Sequence, residues 1–156
     1  MKKRIALFLV IALCLVGCGD APSLVSHTHE DLTISIPEDF LDLSDADFAA
    51  DMDFAYGLDP IGIIGLREEK AVFAAYALEL DLQHYGALVI KGNNVDCTLT
   101  EKDGIPTFTY EANSYTYVVT IWETDEAFWT VQAYCPTERF SDSQSQMWEI
   151  LQSIAV

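Results

Sequence analysis

The chain has 156 residues, and its 25 acidic and eight basic side chains give a formal net charge of −17 at pH 7. An anionic surface of this kind repels nucleic acid and anionic lipid headgroups. The composition therefore disfavours a role in binding nucleic acid or a lipid surface. The length suits one ordinary domain with a core of its own. We interpret the charge as a source of solubility, and recognition of a cationic partner is the less favoured alternative.

The N-terminal stretch has the parts of an export signal. Lys2, Lys3 and Arg4 form a basic start, and an unbroken apolar run follows from Ile5 to Val16. A membrane-spanning helix needs roughly 20 apolar residues, and this run is much shorter. The pattern therefore predicts a signal peptide rather than a permanent transmembrane helix.

The end of the apolar run resembles a bacterial lipobox. Its residues are Leu15-Val16-Gly17-Cys18. The resemblance implies a lipoprotein signal peptide over 1–17, lipid on Cys18, and attachment to the extracytoplasmic face of the cell membrane. Small and polar residues then predict a lipidated tether over 18–31. Cleavage would take the formal charge from −17 to −20. An ordinary signal peptide cut near Cys18, which leaves a free thiol, is the alternative.

The folded domain is predicted to begin at residue 32. Residues 32–36 alternate between apolar and polar side chains and stop at Pro37, which predicts a half-buried strand. The acidic stretch 42–53 predicts about one helical turn. We therefore expect a single domain over 32–156.

Two further strands and an ambiguous stretch follow. Residues 53–58 and 61–67 predict strands joined by a turn at Asp59-Pro60. The apolar stretch 71–80 fits either a strand or a helix, and the sequence leaves that choice open.

A helix is predicted to start at Asp81, whose side chain can accept a hydrogen bond from a free backbone N–H group. Tyr85 and Val89 recur at helical spacing, and Gly92 ends the run. Four strand candidates come next, separated by short polar turns. They cover 95–101, 106–111, 115–123 and 127–135. Strands this closely connected predict an antiparallel meander.

A closing helix has the most complete signature. Ser141 and Gln144 fit a capping box, which places the helix start at Ser141. One apolar stripe should face the sheet. It consists of Met147, Ile150, Leu151 and Ile154. These elements predict an α+β fold, a mainly antiparallel sheet with helices packed on it.

The order of elements and the placement of aromatic residues resemble small bacterial lipoproteins with a PsbP-like domain. The matching segments are 36–38 (Ile-Pro-Glu), the helix from Tyr85 to Asn93, the aromatic strand 128–135, and 148–154. The resemblance runs from about Leu32 to Ile154. It implies an α/β/α sandwich and little about function, because this fold serves unrelated tasks.

Two groups of side chains could hold a metal ion. His27 and His29 would point to the same side of an extended segment, but the chain offers no nearby residues to complete a zinc set. A row of acids suggests calcium, yet its spacing fails the EF-hand loop. Those acids are Asp42, Asp45, Asp47, Asp51 and Asp53. We expect no metal and no cofactor.

The chain lacks the usual signatures of catalysis. No nucleophile elbow, Ser-x-x-Lys motif or phosphate loop is present, and His84 with Asp81 is interpreted as a helix-surface pair. Cys97 and Cys135 fall on the first and fourth strands of the predicted meander, about 14 Å apart at roughly 4.8 Å per strand. We expect two free thiols, with a disulfide as the alternative if the sheet order is not sequential.

The aromatic strands carry the one candidate binding surface. Their less apolar side mixes Thr, Gln and aromatic residues, which suits a groove for a small ligand or peptide. The candidate residues are Trp122, Phe128, Thr130, Gln132 and Tyr134. A helix that covers this side, as a sandwich requires, is the favoured alternative.

Three functional hypotheses follow. The first is a membrane-tethered, non-catalytic domain that binds or scaffolds an unidentified envelope protein. The second is a lipoprotein that binds a small ligand or a metal and serves a transporter. An enzyme is the least favoured class. An open aromatic pocket would favour the second hypothesis, and an exposed apolar patch on a closed core would favour the first.

Overall fold

The computed structural model describes residues 23–156, so the predicted signal peptide and Cys18 lie outside the described residues. The strands are β1 (Leu24–His29), β2 (Leu32–Pro37), β3 (Leu41–Asp42), β4 (Phe54–Leu58), β5 (Ile61–Glu69), β6 (Thr100–Lys102), β7 (Ile105–Ala112), β8 (Tyr115–Glu123) and β9 (Ala127–Pro136). The helices are α1 (Lys70–Ala75), α2 (Leu82–Gly92) and α3 (Phe140–Gln152), with 3₁₀ turns at Asp47–Ala49 and Thr137–Arg139. No helix among residues 23–156 combines the length and apolarity that crossing a membrane requires.

Seven strands form one antiparallel sheet in the order β3-β4-β5-β9-β8-β7-β6. The last four strands are neighbours in chain order, so the predicted meander is confirmed. The predicted α+β class is confirmed as well. Strand β9 is flanked on both sides, by β5 and β8, and its side chains are buried on both faces. This explains its nearly continuous apolar sequence.

One face of the sheet is closed by α3 and by a β1–β2 hairpin. The core on this side centres on Trp129, Val131, Ala133 and Cys135 of β9. The predicted stripe of α3 packs onto it. Met147, Ile150 and Leu151 are at most 1% exposed and Ile154 is 7% exposed. The prediction that this helix buries its stripe against the sheet is confirmed.

The opposite face carries α1 and α2. Tyr85 of α2 packs with Phe108, Val119, Ile121 and Phe128 of the sheet. Helices thus lie on both faces, which is the layering of an α/β/α sandwich. The cap of α2 is confirmed, because an Asp81 carboxylate oxygen accepts a hydrogen bond from the backbone N–H of His84 at 2.8 Å.

The predicted tether is wrong from Leu24 onward. Residues 24–29 form β1, which pairs with β2 over its whole length. The exposed and polar side chains of β1 suggested a linker, but its backbone hydrogen bonds and its contacts with the sheet hold it in place. The ordered domain therefore starts before residue 32.

The predicted strand over 95–101 is also wrong for most of its length. Only Thr100–Lys102 pairs with β7. Val95, Cys97 and Leu99 pack against the α2 side of the core, and Leu99 lies beside Gly86, where a side chain would collide with it at 2.8 Å. The alternating pattern was a signature of burial here, not of strand pairing.

The capping box predicted for α3 does not form. The helix starts at Phe140, one residue before Ser141, and continues from the 3₁₀ turn. Arg139 already has helical torsion angles, with φ −101° and ψ −2°. The preceding turn therefore leads directly into the helix, and Ser141 lies within its first turn.

Candidate functional site

The five candidate groove residues do not share one face. Trp122 pairs directly with Trp129 across β8 and β9, and paired residues point to the same side. Trp122 therefore lies on the α3 side, where its indole N–H donates to the Thr120 hydroxyl at 2.9 Å. Alternation along a strand indicates which of its residues share a face, but it does not give the register between strands.

The other four residues lie along β9 on the α2 side, and they divide into a covered half and an open half. Phe128 is 1% exposed beneath the ring of Tyr85, with centroids 4.5 Å apart. The Thr130 hydroxyl lies 3.0 Å from the Tyr85 hydroxyl. In this half of the face, α2 covers the sheet, as the favoured alternative to an open groove predicted.

Beyond α2 the face stays open and forms a concavity of about 250 Å³. We call it the tyrosine depression. Its lining residues are Phe48, Ile64, Tyr115, Tyr117 and Tyr134. Of these, Tyr134 alone was among the candidates. Tyr115 and Tyr117 were recognisable as aromatic residues on one face of their strand, but nothing local in the sequence connects Phe48 with them.

The tyrosine rings support one another across three strands. Tyr110 of β7 stacks on Tyr117 with centroids 4.7 Å apart and planes 4° apart. Tyr134 lies 5.6 Å from Tyr117 and 6.0 Å from Tyr115. Gly62 of β5 provides the space for Tyr134, because a Cβ at that position would approach the ring to 2.2 Å. The array is therefore held in a defined arrangement.

Burial raises the pKa of Tyr117 and Tyr134, and neighbouring tyrosines raise it further. Burial also raises the pKa of Tyr110, whose hydroxyl donates to the Gln132 side-chain oxygen at 3.2 Å. These phenols are therefore neutral at physiological pH, and they do not act as bases. The depression offers aromatic faces and hydroxyl groups, which suits binding rather than acid–base chemistry.

A second concavity of about 320 Å³ lies on the same face between the sheet and α2. Thr130 and Gln132 line it, together with Glu68 and Tyr85. The Tyr85 hydroxyl donates to a Glu68 carboxylate oxygen at 2.7 Å. Three of the predicted groove residues, Thr130, Gln132 and Tyr134, thus line one or the other of these concavities.

A larger concavity of about 660 Å³ surrounds Asp31 at another edge of the domain. The Asp31 carboxylate accepts hydrogen bonds from the Trp129 indole N–H at 2.8 Å, from the Thr124 hydroxyl and from Arg67. Partial burial raises the pKa of Asp31, but these hydrogen bonds outweigh it and lower the pKa to about 2. These hydrogen bonds join Asp31, in the turn between β1 and β2, to Trp129 of β9. We therefore assign a structural role to the Asp31 carboxylate in this concavity.

His27 and His29, the two candidate metal ligands, both contact one tyrosine. The Tyr56 hydroxyl lies 3.2 Å from His27 Nδ1 and 3.1 Å from His29 Nε2. The His29 ring stacks on Phe54 at 4.5 Å, and burial lowers its pKa. They do point to the same side, as an extended strand dictates. Within residues 23–156, no group of three or more His, Cys, Asp or Glu side chains is arranged to hold a metal ion.

Neither thiol of the described residues is hydrogen-bonded to a histidine. Cys97 and Cys135 are free, and they belong to core clusters on opposite faces of the sheet. Burial raises the pKa of both thiols. The exposed His84 pairs with Asp81 at 2.8 Å, as a helix-surface pair. Nothing in this geometry activates a nucleophile.

No protein-family model matches the sequence, and no curated protein matches it. Several solved structures match the fold, among them the following two. The solution structure of cyanobacterial PsbP (CyanoP) from Synechocystis sp. PCC 6803 has a TM-score of 0.54 at 11% identity, covering 92% of this chain and 98% of that one. The crystal structure of the Saccharomyces cerevisiae Ran-binding protein Mog1p has a TM-score of 0.53 at 12% identity, covering 87% and 96%. The chain has a PsbP-like fold, and identities this low show the fold alone.

Proposed function

We propose that this chain is a non-catalytic interaction domain, held at the extracytoplasmic face of the cell membrane by lipid on Cys18. The tyrosine depression carries the proposal, because it is an open surface of the sheet lined almost entirely by aromatic residues. Tyrosine combines a large apolar ring with a hydroxyl group and is enriched at protein interfaces. Phe48 and Tyr115 are 58% and 39% exposed, so a partner can reach them directly.

The similarity in fold supports a binding role. Mog1p is named as a Ran-binding protein, so a protein with this architecture can act by binding another protein. For this chain we propose an envelope protein as the partner. The proposal invokes no reaction, because the described histidines and thiols do not form a nucleophile–base pair.

The anchor is proposed from the lipobox-like sequence that ends in Cys18. Two or more acyl chains hold a protein on a membrane stably, because each buried CH₂ group contributes about 0.8 kcal/mol. A Cys18→Ala variant should lose the lipid in mass spectrometry and leave the membrane fraction. A Cys97→Ala variant should keep both properties. Lipid retained by the Cys18→Ala protein would contradict the anchor.

The interaction surface can be tested in intact cells by crosslinking and purification of the full chain. Phe48→Ala and Tyr115→Ala should reduce recovery of a discrete partner, because they remove exposed rings from the depression. Tyr76→Ala is the matched control, since Tyr76 is 77% exposed and does not line the depression. Equal recovery from all variants, or an equal loss with Tyr76→Ala, would contradict docking at the depression.

A small-ligand-binding lipoprotein that serves a transporter is the second candidate function. The neighbouring concavities of about 250 and 320 Å³ favour it, although ligand pockets usually have about 300–1,000 Å³. A ligand that binds only the folded state must raise the melting temperature. We expect zinc and calcium to leave the melting temperature of chelator-treated protein unchanged. A saturable rise at micromolar metal would instead favour the metal-binding form of this candidate.

A further inference from the structure

We infer that the tyrosine depression receives a lysine or arginine side chain from a protein partner. This inference rests on the proposed interaction function and specifies the chemistry of the partner. Aromatic rings attract cations through the negative potential of their faces, and several rings around one space strengthen that attraction. Three tyrosines and one phenylalanine line the depression.

The charges around the depression favour a cationic occupant. Phe48 lies in a short turn where Asp45, Asp47 and Asp51 are all exposed. None of the five basic side chains of residues 23–156 lines the depression. The whole chain carries a formal charge of −17, which attracts a basic partner over a distance. A cation in the depression would therefore be surrounded by aromatic residues and by no basic side chain, with exposed acids in the turn that carries Phe48.

The size and chemistry of the lining limit what can enter. About 250 Å³ accommodates one long side chain and is too small for a helix. The Tyr117 and Tyr134 phenols are neutral at physiological pH, and burial raises their pKa further, so the lining offers aromatic rings rather than phenolate charges. An alkyl stem can lie against Ile64 while the charged group reaches the rings.

The test uses the full chain in nonionic detergent and short synthetic peptides. One peptide carries lysines in an uncharged background, and a second has the same sequence with every lysine acetylated. Titration calorimetry should show saturable binding of the first peptide and at least about tenfold weaker binding of the second. Tetramethylammonium serves as the free-cation probe and should bind much more weakly than the lysine peptide.

Variants identify the surface responsible. The double variant Tyr115→Leu/Tyr134→Leu keeps apolar bulk but removes two π faces, and it should bind the lysine peptide about tenfold more weakly. Tyr115→Phe/Tyr134→Phe keeps the rings and should stay within about twofold. The single variant Tyr115→Leu covers the case in which the double variant fails to fold, because Tyr115 is 39% exposed. Its binding should be about threefold weaker. Tyr76→Leu is the control.

Several results would overturn the inference. They are the absence of lysine-peptide binding, equal binding of the acetylated peptide, and unchanged binding by the leucine variants. If Asp45→Asn/Asp47→Asn weakened lysine-peptide binding while the leucine variants bound it normally, a diffuse acidic surface rather than the depression would be responsible. Tetramethylammonium that binds as tightly as the peptide would indicate a free cation as the ligand. If the lysine inference failed but recovery of a partner from cells still depended on Phe48, the proposed interaction function would stand.

Discussion

The two faces of the sheet use the same central strands but are covered differently. On the α3 side, the helix and the hairpin cover β9, and Trp129 is fully buried with its indole N–H bonded to Asp31. On the opposite side, α2 covers Phe128 but leaves Tyr134 and its neighbours partly exposed. One face therefore stabilises the fold, and the other combines a small core with an accessible aromatic surface. The same strand β9 thus stabilises the fold through its buried side chains and offers its partly exposed end at Tyr134 for binding.

The largest expected effect lies on the closed face. Leu151→Ala should lower the free energy of unfolding by about 2–5 kcal/mol, because Leu151 is fully buried and its truncation leaves a cavity. Chemical denaturation measures this value. Leu88→Ala on α2 is the control, since Leu88 is 40% exposed, and it should cost less than about 1 kcal/mol. An equal loss of unfolding free energy in both variants would contradict the distinction between a closed, stabilising face and a partly open one.

The Asp31 network should give the closed face a pH dependence. The folded-state pKa of Asp31 is lowered from 3.8 to about 2. Its contribution to stability is therefore present above pH 3.8 and is lost as the pH falls towards 2. The contribution amounts to about 2 kcal/mol at most. The difference in unfolding free energy between wild type and Asp31→Asn should shrink over that interval.

Comparison with the variant is needed because many other carboxylates titrate in the same range in both proteins. Denaturation curves at several acidic pH values supply the measurement. A difference between wild type and Asp31→Asn that stays constant from pH 5 to pH 2 would show that Asp31 is not held by Thr124, Trp129 and Arg67 as described.

The smallest effect distinguishes the two halves of the α2 face. Tyr85→Phe should cost about 1 kcal/mol of unfolding free energy, because it removes hydrogen bonds to Glu68 and Thr130. Tyr117→Phe should cost less than about 0.5 kcal/mol, since the Tyr117 ring remains and is partly exposed. A larger loss for Tyr117→Phe would mean that the tyrosine depression is structural rather than available for binding.

The sequence predicted the elements with strong local signals. The strands 115–123 and 127–135, the Asp81 cap and the α3 stripe depend on periodicity and on side chains close in sequence. The β1 hairpin was missed because its stability comes from pairing with β2 and from contacts between its histidines and Tyr56. Strand 95–101 was overextended because burial of Val95, Cys97 and Leu99 gives the same alternation as a paired strand.

The candidate site was predicted in part, for a related reason. Alternation along one strand shows which residues share a side, but the register between strands decides which sides coincide. Trp122 was therefore grouped with Phe128, although it pairs with Trp129. Phe48 joins Tyr134 only through the fold, since 85 residues of chain separate them.

The most direct test of the central claim is site-specific photocrosslinking in intact cells. A photoreactive phenylalanine analogue at position 48 lies in the tyrosine depression, and the same analogue at position 76 lies outside it. We predict a discrete crosslinked partner from position 48, its loss when Tyr115→Leu is added, and no such product from position 76. The same partner captured from position 76 and not from position 48 would place the interface elsewhere and contradict the account.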